Sequence, residues 1–161
     1  MVLGYGPRMG KIIGERTVEI DAPVQRVFDI ASDIEGAPAW QGSLKDVEVL
    51  ERDAEGRATL VDAVNDAKVK TVKNKLSFTY EAPGAIRWRQ EKGDVKALDG
   101  SWTLEDLGGD RTRATYALEV DPGRMLGLLI RGPVEGQVRD FLLGNAADGL
   151  KRTAEQDSRG S

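Results

Sequence analysis

Few side chains in this 161-residue sequence could move a proton or hold a metal, because it contains neither histidine nor cysteine. Without histidine, the usual general base and the commonest transition-metal ligand are missing, which excludes a Ser-His-Asp triad or a histidine-held zinc hydroxide. Without cysteine there is no thiolate nucleophile, no thiolate metal site and no disulfide framework, a composition that suits a reducing cytoplasm. Tyr80, Tyr116 and Asp62 remain as proton handlers that could face an interior, and no catalytic residue is assigned from them. Carboxylates alone can bind calcium or magnesium, but no loop spaces its acids as a dedicated site requires. The glycine pairs fall in hairpin turns, not between a strand and a helix in a dinucleotide pattern. Neither a metal nor another cofactor is expected.

These residues must be positioned by a long C-terminal helix and by the strands that precede it. From Leu126 to Ala154 the sequence reads as helix, with Ile130, Val134, Val138, Phe141, Leu142, Asn145 and Gly149 recurring at three- and four-residue steps. Pro133 breaks or kinks it after Gly132, leaving Arg124 to Arg131 as a short separate segment. Asn145, near the middle of the apolar stripe, and Gly149, one turn on, offer a hydrogen-bonding group and empty volume where bulk is expected. The alternative is that Asn145 bonds nearby backbone and that Gly132, Gly136, Gly144 and Gly149 permit close packing.

Upstream, the pattern has the period of strands. Glu15 to Asp21 alternates, and then Pro23 opens an amphipathic helix through Val24, Val27, Phe28, Ala31 and Ile34 that ends at Gly36. Ala37-Pro38-Ala39-Trp40 predicts a second short helical turn. Further strands follow at Val47–Arg52, at Ala58–Val64 and within 68–80, where Val69 is out of phase, so that a bulge intervenes or the strand begins late. Turns at Pro83-Gly84, Gly93-Asp94 and Gly108-Gly109-Asp110 separate the strands carrying Trp88, Trp102 and Tyr116. One sheet face then presents Leu76, Phe78, Tyr80, Trp88, Trp102, Tyr116 and Leu118. Asn74 and Gln90 share that face, with Asp62 joining if its strand is phased likewise. Only 6% of the chain is aromatic, so this concentration predicts an aromatic-lined enclosure or an aromatic packed core. A dry core rarely tolerates such polar groups.

Length predicts one domain, residues 11–156, with loose termini at 1–10 and 157–161. Charged residues make up 31% of the chain and the net charge is -4. Lys and Arg are otherwise interspersed with the acids, so no nucleic-acid partner is expected, and the basic strip Lys68 to Lys75 reads as a solvated outer face that could attract acidic lipids or a carrier protein. No apolar run reaches the length of a membrane span and no signal peptide is evident, so a cytoplasmic monomer or homodimer without an integral membrane segment is expected.

The order of strand, helix opening at Ala22-Pro23, Val27-Phe28, Asp33, Pro38-Ala39-Trp40, Gly100-Ser101-Trp102 and a final long helix resembles the START-like, or SRPBCC, superfamily. More narrowly it resembles the polyketide cyclase/dehydrase and lipid transport family. The resemblance covers residues 11–156. It implies an α+β helix-grip fold: a curved antiparallel sheet of about seven strands, with two short N-terminal helices, wrapped round the C-terminal helix, and a hydrophobic cavity between sheet and helix. It also implies that Trp40 is a structural or cavity-wall residue. A scaffold of this kind carries no fixed catalytic set. The leading expectation is therefore binding or transport of a small hydrophobic or amphipathic molecule such as a lipid, isoprenoid or polyketide. Its residence would depend on buried apolar area at about 25 cal/mol per Å². Trp40, Phe78, Tyr80, Trp88, Trp102, Tyr116 and Phe141 are the expected contact surface, and Gln90 or Asn145 would orient a polar end. A polyketide aromatase/cyclase using the same cavity and a protein-interaction module are the alternatives.

Overall fold

The computed structural model describes residues 11–160, with side chains through residue 156. Seven strands, β1 (Ile12–Ile20), β2 (Leu44–Arg52), β3 (Ala58–Asp66), β4 (Thr71–Glu81), β5 (Ala85–Gly93), β6 (Ala97–Gly108) and β7 (Arg111–Asp121), form one antiparallel sheet. Its order is β1-β7-β6-β5-β4-β3-β2. Each of β3 to β7 pairs with its predecessor in the chain, whereas β1 crosses over to pair with β7. Register shifts in β2 between Leu44 and Asp46 and around Glu51 bend that edge, as bulges do.

Between β1 and β2 run α1 (Val24–Ser32) and a 3-10 helix (Ile34–Ala39). Pro23 caps α1 in an extended conformation and Val27, Phe28 and Ala31 are its buried stripe. This helix stops at Ser32, short of the predicted Gly36. The Asp33 side chain accepts a hydrogen bond from the Gly36 amide at 3.2 Å and starts the tighter helix instead. Similarly, β1 begins earlier than predicted, and the segment before β4 resolves in favour of a late start at Thr71, leaving Val69 in the connecting loop.

After β7 come α2 (Arg124–Leu129) and α3 (Pro133–Gly160). The break falls where proline demands it. Gly132 takes a left-handed φ of 65°, which costs glycine no steric strain, and Pro133 occupies the first turn of the new helix, where its missing N–H is harmless. The expected leader, residues 1–10, lies outside the described residues, while the α3 backbone continues to Gly160, past the point where a loose tail was expected. No described helix is long and apolar enough to cross a membrane.

Alternation sorts the sheet into two faces. Val72, Asn74, Leu76 and Phe78 of β4, Trp102 and Leu104 of β6, and Ala114, Tyr116, Leu118 and Val120 of β7 are buried. The outer face carries ion pairs: Arg111 and Arg113 with Glu19, Arg113 with Glu105, Arg89 with Asp99, and Arg87 with Glu81. Hydrogen bonds from Arg113 and then Arg111 hold the Glu19 carboxyl below the usual carboxylate range. Such exposed pairs contribute little stability, but they place charge away from the interior. Asp62 belongs to this outer set. Val61 and Ala63 are the buried neighbours in β3, so Asp62 points outward and pairs with Lys75 at 3.4 Å, which removes it from the interior proton handlers.

Candidate ligand cavity

Helix α3 rests chiefly on β1 and β7 and touches α1. The central strands β4 to β6 curl past it without that support, and a partly enclosed space of about 120 Å³ remains between them. Its walls include Leu76, Phe78, Trp88, Leu98, Trp102, Tyr116 and Leu118 from the sheet, with Val138 and Leu142 from α3. Trp40 and Ile34 close one side, and Pro122, Leu126 and Ile130 come from the connection into α3. Val69, also in the wall, is 40% exposed, so the lining reaches the surface at the β3–β4 loop.

The aromatic side chains form a continuous row. Phe78 and Trp88 are cross-strand partners with ring centroids 5.6 Å apart. Trp88 and Tyr116 are 5.7 Å apart, and Tyr116 and Trp102 are 4.8 Å apart. Tilted contacts at these spacings suit the ring quadrupoles. Gly100 makes the row possible, because it lies opposite Trp88 in the ladder and any Cβ there would collide with the indole.

Polar groups enter the lining at one region. Asn65 and Leu44 face each other in the β2–β3 ladder, and the Asp66 amide donates to the Ser43 carbonyl at 2.7 Å, so Gln41, Ser43 and Asn65 come from adjoining backbone. The Asn65 amide donates to Asn74 Oδ1 at 3.2 Å, and the Asn74 amide donates to Gln90 Oε1 at 2.7 Å. Gln90 in turn donates to the Val95 carbonyl at 2.8 Å. The chain of amides satisfies Asn74, which is only 2% exposed, and explains how the sheet tolerates a buried amide. Burial pushes the Tyr116 phenol up to about 12, against a smaller lowering by the Gln41 side chain, so it is neutral at physiological pH. Among the described residues it is the only titratable one in the lining, which includes no Asp, Glu, Lys or Arg.

Trp40, Phe78, Trp88, Trp102 and Tyr116, among the residues singled out from sequence, are therefore brought together around the space. Tyr80, Gln90, Phe141 and Asn145 lie outside its lining, for different reasons. The Tyr80 hydroxyl donates to the Ala58 carbonyl, and burial raises its pKa. Gln90 is engaged in the amide chain. Phe141 and Asn145 fall on the flank of α3, where the Asn145 amide donates to the Phe141 carbonyl at 2.7 Å and Lys68 Nζ sits 5.3 Å from the Phe141 ring centroid. The supposed empty volume at Gly149 is filled by backbone, since a Cβ there would strike the Trp40 carbonyl oxygen. Ser43, Gln41 and Asn65 were not anticipated, and nothing periodic in the sequence marks them.

Residues 20–145 match the family described as polyketide cyclase / dehydrase and lipid transport. The chain belongs to that family. Its fold is that of solved relatives, among them a START superfamily protein from Mycobacterium smegmatis at 23% identity and TM-score 0.77, over 89% of this chain and 97% of that one. A protein from Thermus thermophilus is similar at 22% identity and TM-score 0.72, over 92% of this chain and 99% of that one. The Zhui aromatase/cyclase from Streptomyces sp. R1128 is similar at 18% identity and TM-score 0.72, over 92% and 96%. No curated protein matches the chain. The family member thus has the helix-grip fold of these relatives, and the cavity stands where helix and sheet part.

Proposed function

We propose that this family member binds and carries a small, neutral, predominantly apolar molecule in the cavity between α3 and β4–β7. The observation that carries the reading is the lining itself: many aliphatic and aromatic side chains, a few neutral polar groups and, among the described residues, no charged one. A bare charge in such a site would lose its hydration without compensation. Apolar contact with the Trp88, Tyr116 and Trp102 row supplies affinity, and the polar region supplies orientation.

Ring-forming chemistry on a poly-β-carbonyl chain receives less support. Proton abstraction at neutral pH works best with a group whose pKa lies near the operating pH, and the single titratable residue described in the wall, Tyr116, stays protonated to about 12. The size of the space adds a second constraint. At about 120 Å³ it compares with cavities that hold benzene. A longer lipid or polyketide would have to displace α2 or the β3–β4 loop.

All three tryptophans of the sequence, Trp40, Trp88 and Trp102, line the cavity, so intrinsic fluorescence reports its filling. Denaturing the purified full chain and extracting it into organic solvent should release a neutral compound identifiable by mass spectrometry. Titrating small cyclic hydrocarbons into protein freed of that compound should change the tryptophan emission, and Val138→Phe, which fills the space from α3, should abolish the change while leaving the circular dichroism intact. A response that survives in folded Val138→Phe would remove the cavity from the explanation.

A further inference from the structure

Ser43 is 0% exposed, and its hydroxyl has no hydrogen-bond partner among the described residues. Its situation differs from that of the other buried polar side chains. Thr112 donates to the Ala22 carbonyl at 2.8 Å, and Asn74 is held in the amide chain. An unpaired buried hydroxyl works against folding, so its retention calls for an explanation. The residue lines the cavity, between Gln41, which also lines it, and Leu44, which faces Asn65 in the ladder. Its backbone is fixed by the hydrogen bond from the Asp66 amide.

We propose that the Ser43 hydroxyl is the hydrogen-bonding anchor for the ligand, and that the ligand is a compact apolar skeleton bearing one hydroxyl or carbonyl group. The inference rests on the cavity being the ligand site, as proposed above. A carbonyl would accept from Ser43, and a hydroxyl could accept or donate, because serine does both. A carboxylate or an ammonium group meets no countercharge in the described wall, and a pure hydrocarbon leaves Ser43 unsatisfied. Of the neighbouring polar groups, the Asn65 amide already donates to Asn74, whereas the Ser43 hydroxyl has no partner among the described residues. Ser43 therefore sets selectivity between a ketone or alcohol and the hydrocarbon of the same shape.

The probes are cyclohexanone, cyclohexanol, methylcyclohexane and cyclohexanecarboxylate, titrated into full-length protein and into Ser43→Ala by tryptophan fluorescence. The ratio of cyclohexanone to methylcyclohexane affinity should be about fivefold larger in the wild type than in the variant, the worth of one ordinary hydrogen bond, and cyclohexanecarboxylate should bind neither protein. Comparing ratios cancels the different hydrophobicities of the probes. Equal ratios in the two proteins would overturn the anchor while leaving the cavity as the ligand site. If no probe perturbs the fluorescence of either, the carrier reading fails as well, and the two failures are thereby distinguished. Stability gives an independent readout, since Ser43→Ala deletes an unpaired hydroxyl: without ligand it should melt higher than the wild type by about 2 to 6 °C. A lower melting temperature would mean the hydroxyl is already partnered in the unliganded protein, and would overturn the proposal.

Discussion

The two halves of α3 meet the rest of the molecule differently. Toward its C-terminal end Ala146, Ala147, Leu150 and Ala154 are fully buried, and Gly149 lies against the Trp40 carbonyl so closely that no side chain fits. The small Gly149 lets helix backbone approach the Trp40 backbone, and that half is packed solid. Toward the N-terminal end Val134 and Leu142 are only half-buried, and Val138 and Leu142 look into the cavity. Ahead of them α2 exposes Met125 at 82%, Leu128 at 59% and Leu129 at 54%. A single helix thus serves as a structural anchor at one end and as a cavity wall at the other, and residue volume decides which.

The largest effect should come from spoiling the close approach. Gly149→Ala puts a methyl group into a backbone oxygen that cannot swing away, and should destabilise the fold by about 3 kcal/mol or more, read as a shift in the urea midpoint with unchanged slope. Gly136→Ala, where the added carbon would meet only the end of the Arg139 side chain at 3.4 Å, should be neutral or slightly stabilising in the same measurement. Truncating leucines tests the contrast from the other side. Leu150→Ala empties a filled site and should cost about 3 kcal/mol. Leu142→Ala enlarges a space that already exists and should cost about 1 kcal/mol. Equal costs would mean that the two halves are packed alike.

The cavity end should also respond to alkali through Tyr116. In the folded state its phenol is pushed from 10 up to about 12. Between those values the unfolded chain has released the proton and the folded chain keeps it, so stability is intact below pH 10 and falls as pH rises toward 12. The full interval corresponds to about 2 to 3 kcal/mol. Tyr80 moves in the same direction. Tyr116→Phe should flatten the decline of the urea midpoint between about pH 9.5 and 11, whereas Leu150→Ala should lower the whole curve without changing its slope.

Much of this was readable in the residues. Period-two alternation in β4 to β7 placed Phe78, Trp88, Trp102 and Tyr116 on one face, and Gly132-Pro133 marked the break before α3. The rotation of α3 differs from the one its apolar stripe predicts, because Phe141 and Asn145 stand out by size and chemistry among residues that look neutral. Ala146, Ala147 and Ala154 are the buried ones, and alanine gives a weak apolar signal though it marks where a helix comes closest. Asp62 was ambiguous because β3 carries apolar residues on both faces, Leu60 and Val64 half-buried beside fully buried Val61 and Ala63. Ser43 carries no local signal at all. Its isolation depends on Asp66 fixing its backbone and on the Asn65 amide donating to Asn74 instead, contacts that only the folded sheet creates.

A small stability change belongs to the outer side of α2, and it still discriminates. Leu129 is already exposed in the folded state, so Leu129→Ser should alter the urea midpoint by no more than about 0.5 kcal/mol. Ile130, the next residue, is 2% exposed and forms part of the cavity wall; Ile130→Ala should cost about 2 kcal/mol. Hydrogen bonds from Gly127 to Gly123 and from Ile130 to Gly127 tie down this short turn through its own backbone, and its outer side buries nothing. Local opening should therefore be easier here than in α3. Amide hydrogen exchange at Gly127 to Ile130 should be faster than at Ala146 to Leu150, and a hydrocarbon probe that fills the cavity should slow the former through contact with Leu126 and Ile130. If the probe instead protects Ala146 to Leu150 and leaves α2 unchanged, the cavity wall and the anchor have been assigned to the wrong ends of the helix.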